Sequence, residues 1–403
     1  MTKSVLSGIR VLDFGRYIAG PYCSALLADQ GAEVIRIERV NGNDDRYVMP
    51  LGDSAEGALY LQMNRNKKSL ALDITQGRGA EIVRQLVATA DVIVVNLPPK
   101  ARTKLGLDYD TLRSIKSDII LTTVSAFGTG GSYGDRVGFD VSGQALSGAV
   151  YLTGTKDQPY RSAISYVDYS TGMSAAFGTM AALLERKTTG RGQHVEASLL
   201  GSALTMTNSM LIEEASGSRS RVPTGNRSPI SGPSDLFATR DGWMFVQVIG
   251  QDMFERWIDL VGAEMLRGDP RFKDDISRGE NGEILSELTA KWCRKFTTRE
   301  CLTKLHASRV PGYQVLTPAE ALEAREVSEG EFFDWQEREG LDAPVPIMRS
   351  PVSLSEHGMT PLRPAPRLGA DTRSILEALG HGEEEISILV EDGLANCDEH
   401  GGD

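Results

Sequence analysis

The residue in this chain best placed to do chemistry is an acid at the head of an alanine-, methionine- and leucine-rich segment. Asp168 opens Ser165–Arg186, a stretch punctuated by Gly172 and Gly178 and carrying the small residues Ser174, Ala175 and Ala176. That composition reads as a buried helix that lets another backbone come close. A carboxylate beside a helix N-terminus meets the positive end of the dipole and free N–H groups. Both favour ionisation and predict a depressed pKa. Two readings stay open: a carboxylate kept charged at neutral pH on a small-residue surface, and a helix N-cap, for which Asp is a preferred residue. A second feature is the glycine-rich loop Gly128–Gly138, GTGGSYGDRVG. Such a backbone can form a nest of N–H groups for an anion, or, lacking Walker spacing, be an ordinary surface loop. Cys23, Cys293, Cys301 and Cys397 form no CxxC pair, and His194, His306, His357, His381 and His400 form no HExxH. No metal site is expected, and the cysteines read as reduced thiols of a cytoplasmic protein.

The elements that must position these residues alternate. Strand-like runs fall at Ile9–Phe14, Val34–Ile37, Ser69–Ile74, Asp91–Leu97, Asp118–Phe127 and His194–Leu199. Helical stretches fall between them at Tyr22–Asp29, Gly77–Ala90, Leu107–Lys116 and Asp140–Leu152, and later at Gly201–Glu214. Asp91–Leu97 is nearly continuous apolar, as a strand covered on both faces should be. The alternation predicts an α/β fold with a mostly parallel sheet. Ligands in such sheets bind beyond the carboxyl ends of the strands, here Gly15–Ala19, Arg39, Asn96–Pro99 and Phe127–Gly131. The first turn lacks GxGxxG, which removes the main support for a dinucleotide site. The Ser-, Arg-, Gly- and Pro-rich segment Ala215–Gly232 reads as a linker to a second domain. Beyond it, Asp241–Ile249 reads as a turn and strand, and Met253–Gly262, Asn281–Phe296, Thr298–Ser308 and Pro318–Ala324 as helices. From Phe332 strands and loops are expected, then a late helix at Thr372–Leu379. The tail Glu383–Asp403 is acidic and expected to fray at its end.

A chain of 403 residues suggests two domains. With 43 Lys and Arg against 55 Asp and Glu, the net charge is −12, which argues against nucleic acid or an anionic membrane as partner. No apolar run approaches a membrane span. The start, MTKSVLSGIRVLDF, enters a strand at once and lacks a signal peptide's apolar region.

Nine pieces in order then resemble one family. They are RVLDF and AGP (Arg10–Phe14, Ala19–Pro21), LLADQGAEVIRIE (Leu26–Glu38), NRNKKSLALD (Asn64–Asp73), ADVIVVN (Ala90–Asn96), LGLDY (Leu105–Tyr109), ALSG (Ala145–Gly148), TGRGQHVEASLL (Thr189–Leu200), TGNR (Thr224–Arg227) and APRLGADT (Ala365–Thr372). The chain resembles the class III CoA-transferases of the carnitine dehydratase/bile-acid-inducible type, which include formyl-CoA transferase-like members. The resemblance implies a Rossmann-like large domain from 1–220 and 331–403, a smaller α+β domain at 221–330, and an interlocked homodimer. It implies no resident cofactor, with coenzyme A and acyl-CoA as substrates alongside a carboxylic acid. Asp168 aligns with the family nucleophile, which carries aspartyl–acyl anhydride and aspartyl–CoA thioester intermediates. The CoA contacts it implies are Ile18, Ala19, Arg39, Leu72, Asp73, Asn96, Leu97, Pro98, Lys104 and Arg136, the basic residues suiting phosphates. Leu97 stands where an aromatic is frequent in the family, and Lys104 where Arg is common.

Two departures bear on activity. No glycine run of the oxalate-using members occurs in Gly225–Gly250, so oxalate is not favoured; a small dicarboxylate such as succinate is the donor expected by family habit alone. The Gly-His-Asp motif of the related α-methylacyl-CoA racemases reads Gly138-Phe139-Asp140. Phe cannot exchange a proton. Racemase or isomerase activity, and non-catalytic binding of CoA esters, are the alternatives. Asp140 is expected as a helix cap or a supporting acid.

Overall fold

The computed structural model describes residues 4–75, 77–128, 130–356 and 362–398. His357, His400, Thr129 of the glycine loop and the end of the acidic tail lie outside the described residues. Among the described residues the strands run β1 (Arg10–Asp13), β2 (Glu33–Glu38), β3 (Lys67–Leu72), β4 (Val92–Val95), β5 (Ile120–Ser125), β6 (His194–Ser198), β7 (Ser234–Ala238), β8 (Trp243–Gln247), β9 (Gly312–Gln314), β10 (Phe333–Gln336), β11 (Val345–Met348) and β12 (Ala395–Asn396). The helices that matter for the site are α1 (Ala19–Asp29), α2 (Pro99–Lys104), α3 (Asp140–Leu146), α4 (Ala149–Thr153), α5 (Tyr166–Thr189), α6 (Leu199–Ala215) and, near the end, α7 (Thr372–Ala378) and α8 (Glu383–Glu391).

The first unit comprises 1–147, 163–206 and 331–403. Its sheet has the order β12-β3-β2-β1-β4-β5-β6 and is parallel except where β12 joins β3. The near-continuous apolar strands are explained by cover on both faces. On one face Leu12, Ile35, Leu70, Ile93 and Leu121 pack with Ile82, Leu86, Leu112, Leu376 and Leu389. On the other, Val11, Val34, Val94 and Ile120 pack with Cys23 and Leu27 of α1 and Ala175, Ala176 and Leu183 of α5. The small residues of α5 serve this contact: a Cβ on Gly172 would lie 2.8 Å from the Ala19 carbonyl oxygen and 3.1 Å from the Tyr22 ring. Because β1 has β2 on one side and β4 on the other, the chain reverses its direction of winding there. The crevice at such a switch point, beyond the strand carboxyl ends, is where open α/β sheets bind ligands.

The second unit comprises 148–162 and 207–330. Its boundary falls inside α6 rather than at 220/221, and 148–162 belongs to it as well. It holds the antiparallel sheet β7-β8-β9 over a core that includes Phe237, Met244, Val246, Phe254, Trp257 and Trp292.

One expectation about an element needs correction. The single helix expected over Asp140–Leu152 is α3 and α4, separated at Gly148, whose φ of 85° only glycine adopts readily. The acidic tail forms α8 and β12, and its end, where fraying is expected, lies outside the described residues. Its acidic run conceals an apolar seam: Ile386 and Leu389, three apart, are fully buried, while Glu383, Glu384 and Glu385 occupy the first turn, where negative charge suits the dipole. Leu389→Ala is accordingly expected to destabilise the protein by about 2–4 kcal/mol. Urea unfolding reads this, and an unchanged midpoint would mean a loose tail. Among the described residues no helix is long and apolar enough to cross a membrane, and no group of three or more His, Cys, Asp or Glu could hold a metal ion.

Candidate active site

The segment between β1 and α1 turns sharply over the switch point, and buried side chains hold it there. Asp13 accepts from the Gly15 N–H at 2.7 Å. The side-chain amide of Asn96, just past β4, accepts from the Arg16 N–H and donates to the Arg16 carbonyl at 2.9 and 2.8 Å. Tyr17 has a φ of 63°, left-handed for a non-glycine residue, and its N–H donates to Asp45 at 3.1 Å. Arg36 Nη2 in turn donates to both carboxylate oxygens of Asp45, at 2.9 and 3.0 Å.

Two cavities open at the strand ends, with Arg16 and Leu97 common to their linings. The larger, about 680 Å³, is lined by Arg39, Leu72, Asp73, Ile74, Tyr47 and Leu105 among others. Burial and the nearby Arg39 charge both push the Arg16 pKa down, so two guanidinium groups converge there. The smaller, about 310 Å³, is lined by Ile18, Ala19, Asn96, Pro98, Arg102, Arg136, Phe139 and Asp168, with Tyr17 and Val137. Asp168 is the one carboxylate among those lining residues. A cavity with converging cations, apolar walls and a single carboxylate suits a phosphorylated substrate carrying an apolar arm and a reacting carbonyl.

The structure corrects the reading of Asp168 itself. It lies in the first turn of α5 but is not the cap. Asp140, at the start of α3, accepts from the Val167 N–H at 2.8 Å and the Asp168 N–H at 3.1 Å, and is held by Gln144. The free helix donors thus go to a neighbour's carboxylate. Burial, followed by the like charge of Asp140, raises the Asp168 pKa to about 7 instead of depressing it.

Of the ten contacts named from the sequence, nine line one of the two cavities, and Lys104 lines neither. Arg102, two residues earlier on α2, lines the smaller cavity instead, and among the described residues its buried Nε has no hydrogen-bond partner. Asp73 is turned inward on its own loop, accepting from the Thr75 N–H and hydroxyl. Arg136 stacks over the Tyr133 ring at 4.1 Å. Arg16 and Tyr17 fall inside the strand end Gly15–Ala19 expected to meet ligand but were not singled out as contacts, and Arg102 was missed. Arg16 and Tyr17 lie between two of the quoted pieces, so a signal for them existed, whereas nothing in the sequence separates Arg102 from Lys104.

A model of CoA-transferase family III matches residues 6–372 of the chain. The chain belongs to CoA-transferase family III. It is 31% identical to the succinate–glutarate CoA-transferase of Agrobacterium fabrum, over 94% of this chain and 96% of that one. It is 30% identical to the mouse succinyl-CoA:glutarate CoA-transferase, over 96% and 90%. A crystal structure of a CAIB/BAIF family protein from Brucella suis superimposes with a TM-score of 0.83 at 27% identity, covering 94% of this chain and all of that one. The protein is a class III CoA-transferase with the mixed α/β fold and large, mostly parallel sheet of its structural relatives. CoA thioesters are the substrates of such enzymes.

Against that family background, Phe139 occupies the cavity wall where the racemase motif has a histidine, and His194, His306 and His381 line neither cavity. His194 instead bonds Thr123 and stacks on Tyr109. Arg102→Ala is expected to raise KM for an acyl-CoA donor about tenfold, the worth of one charge-assisted hydrogen bond. Lys104→Ala should change it less than about twofold. Steady-state kinetics on the two variants checks the order, and the reverse order would return the contact to Lys104.

Proposed function

We propose that this transferase moves CoA from a dicarboxylic acyl-CoA, of the succinyl type used by its named relatives, to a second carboxylic acid, with Asp168 as covalent nucleophile. The observation that carries the proposal is that Asp168 is the single carboxylate lining a cavity rich in arginine and apolar side chains. The Asp168 carboxylate adds to the thioester carbonyl and expels CoA thiolate, leaving an aspartyl–acyl anhydride. The thiolate attacks the aspartyl carbonyl of that anhydride and releases the donor acid, which leaves an aspartyl–CoA thioester. The acceptor carboxylate displaces thiolate from this thioester, forming a second anhydride. Thiolate then attacks the acceptor's acyl carbonyl, giving the new acyl-CoA and free Asp168. Each bond formed replaces a bond of similar energy and no net proton moves, so covalent catalysis divides one hard exchange into easier steps.

Arg16 and Arg39 would hold CoA phosphates in the larger cavity, with Leu72 and Ile74 against the adenine, and Ile18, Ala19, Leu97 and Pro98 would flank the pantetheine arm. The interlocked homodimer and a reducing, cytoplasmic setting belong to the same proposal. The four free thiols support the latter, and a stable monomer in light scattering at micromolar concentration would remove the former. The direct test is intact-protein mass spectrometry after incubation with succinyl-CoA, followed by borohydride trapping and peptide mapping. A CoA adduct or reduced aspartyl alcohol on the Asp168 peptide is the expected result. Solvent deuterium at the α-carbon without any adduct would favour a racemase.

A further inference from the structure

Lys67 carries a buried charge that the proposed transfer chemistry does not use. It opens β3, and its side chain is fully buried, as is that of its ion-pair partner Asp13. From β3, two strands away from β1 in the sheet, Nζ donates to Asp13 Oδ2 at 2.7 Å, to the Pro21 carbonyl at 2.8 Å and to Asn64 Oδ1 at 3.0 Å. An ammonium has three N–H donors, so all of them are in use.

Two of these acceptors stand at the two ends of one turn. Asp13 closes β1, and Pro21 lies in the first turn of α1. Between them are Arg16, Tyr17, Ile18 and Ala19, all of which line the smaller cavity. Lys67 also orients Asp13: with Oδ2 on the ammonium, Oδ1 accepts from the Gly15 N–H. Asn64 Oδ1 is shared with Arg36 Nη1, at 3.2 Å, and Arg36 holds the Asp45 that accepts from the Tyr17 N–H. Stability alone does not ask for this arrangement, because a buried ion pair can be exchanged for apolar side chains at little cost. Directed bonds from one atom to both ends of a turn instead fix the shape of the turn.

We propose that Lys67 is a positioning residue for acyl-CoA: its ammonium ties β1 to α1 and so holds Gly15–Ala19 in the shape that binds the CoA thioester. The proposal rests on reading the smaller cavity as part of the acyl-CoA site. Without the tie the turn samples other shapes, and apparent affinity falls with the fraction of molecules that keep the competent one. One competent molecule in about ten raises Kd and KM about tenfold. Bound substrate selects the competent shape, so kcat at saturation changes little.

The test variant is Lys67→Met/Asp13→Asn in the full-length protein. It strands no charge, and the Asn amide keeps an oxygen for the Gly15 N–H. KM for succinyl-CoA should rise about tenfold with kcat within about threefold of wild type, and Kd for free CoA, read by calorimetry, should rise with KM. A merely structural role would reduce the amount of active protein, lowering apparent kcat at unchanged KM and Kd. That result overturns the proposal. A second measurement leaves Lys67 in place. Burial brings its pKa down to about 8, with Asp13 opposing the shift and Arg36 and Arg65 adding to it. These charges face Nζ from β1, β2 and the turn before β3. Cys23 of α1 faces the same pair, and its thiol, pushed up to about 12, stays neutral. Deprotonation of Lys67 removes one donor and the charge, so CoA affinity should fall at least about threefold between pH 7 and 9. The titration uses the Asp168→Asn protein, in which no carboxylate at 168 ionises in that window, and constant affinity overturns the proposal. Adduct formation on Asp168 from succinyl-CoA is measured in parallel on the wild type. An adduct together with either overturning result removes the role of Lys67 and leaves the transferase reading intact, while no adduct at all removes both.

Discussion

Asp168→Asn is expected to lower CoA transfer by 10⁴-fold or more and to abolish the covalent adduct. The amide keeps the size and shape of the side chain but is a far weaker nucleophile, and an interaction present only along the reaction path is lost from kcat and kcat/KM together. The same change should stabilise the protein at alkaline pH. Burial and Asp140 raise the Asp168 pKa to about 7. From the unfolded value of about 4 up to 7, the folded state holds the proton more tightly, so stability falls as pH rises through that window. The full cost is present above pH 7 and absent below about pH 4. Removing it by Asp168→Asn should give a gain on the order of 2–4 kcal/mol at pH 8 and less at pH 5. Thermal unfolding at the two pH values reads the difference. A variant no more stable than the parent at pH 8 would show that Asp168 carries no such strain. Under the proposed mechanism transfer needs the ionised carboxylate, so kcat/KM should rise with pH through about 7 and then level. Asp140→Asn removes the like charge and should move that limb to lower pH.

Asp45→Ala is expected to have the largest effect on folding. Arg36 and Asp45 have side chains 0% and 2% exposed, in a buried network that also joins Glu38, Arg46, Glu56 and Tyr60. Removing one partner of a buried pair strands the other's charge, at about 3–5 kcal/mol, and should lower Tm by roughly 10 °C. It also frees the Tyr17 N–H, so the Arg16–Ile18 segment can relax out of its left-handed turn. The double variant Arg36→Met/Asp45→Leu separates the two effects. It should recover part of the stability, because apolar replacement of both partners is close to neutral, and Glu38 loses its 3.5 Å contact with Arg36 but keeps Arg46. It should not recover transfer, because the Tyr17 N–H has then lost its acceptor. Recovery of both would reduce the network to a matter of stability.

Much of this molecule follows from local composition. Continuous apolar runs such as Val92–Val95 specify strands buried on both faces, and Gly172 in a small-residue helix specifies a close helix contact. Ordered short motifs gathered the family, and with it Asp168 and the strand-end residues. Other features were hidden because they depend on partners distant in sequence. The buried seam of Ile386 and Leu389 is masked by the glutamates around it. It has meaning only because β12 finds the edge of β3, more than 320 residues away. Arg102 and Lys104 are alike as residues, and only the direction in which α2 presents them puts one in the cavity.

The reversal at Asp168 is the clearest case. The sequence by itself determined that an acid stands in the first turn of a buried helix, where isolated helix physics lowers its pKa. Tertiary structure alone decided that Asp140 takes the helix N–H groups, brings a second negative charge close and leaves Asp168 in a desolvated wall. A pKa responds to charge and solvent in three dimensions, and chain order specifies neither.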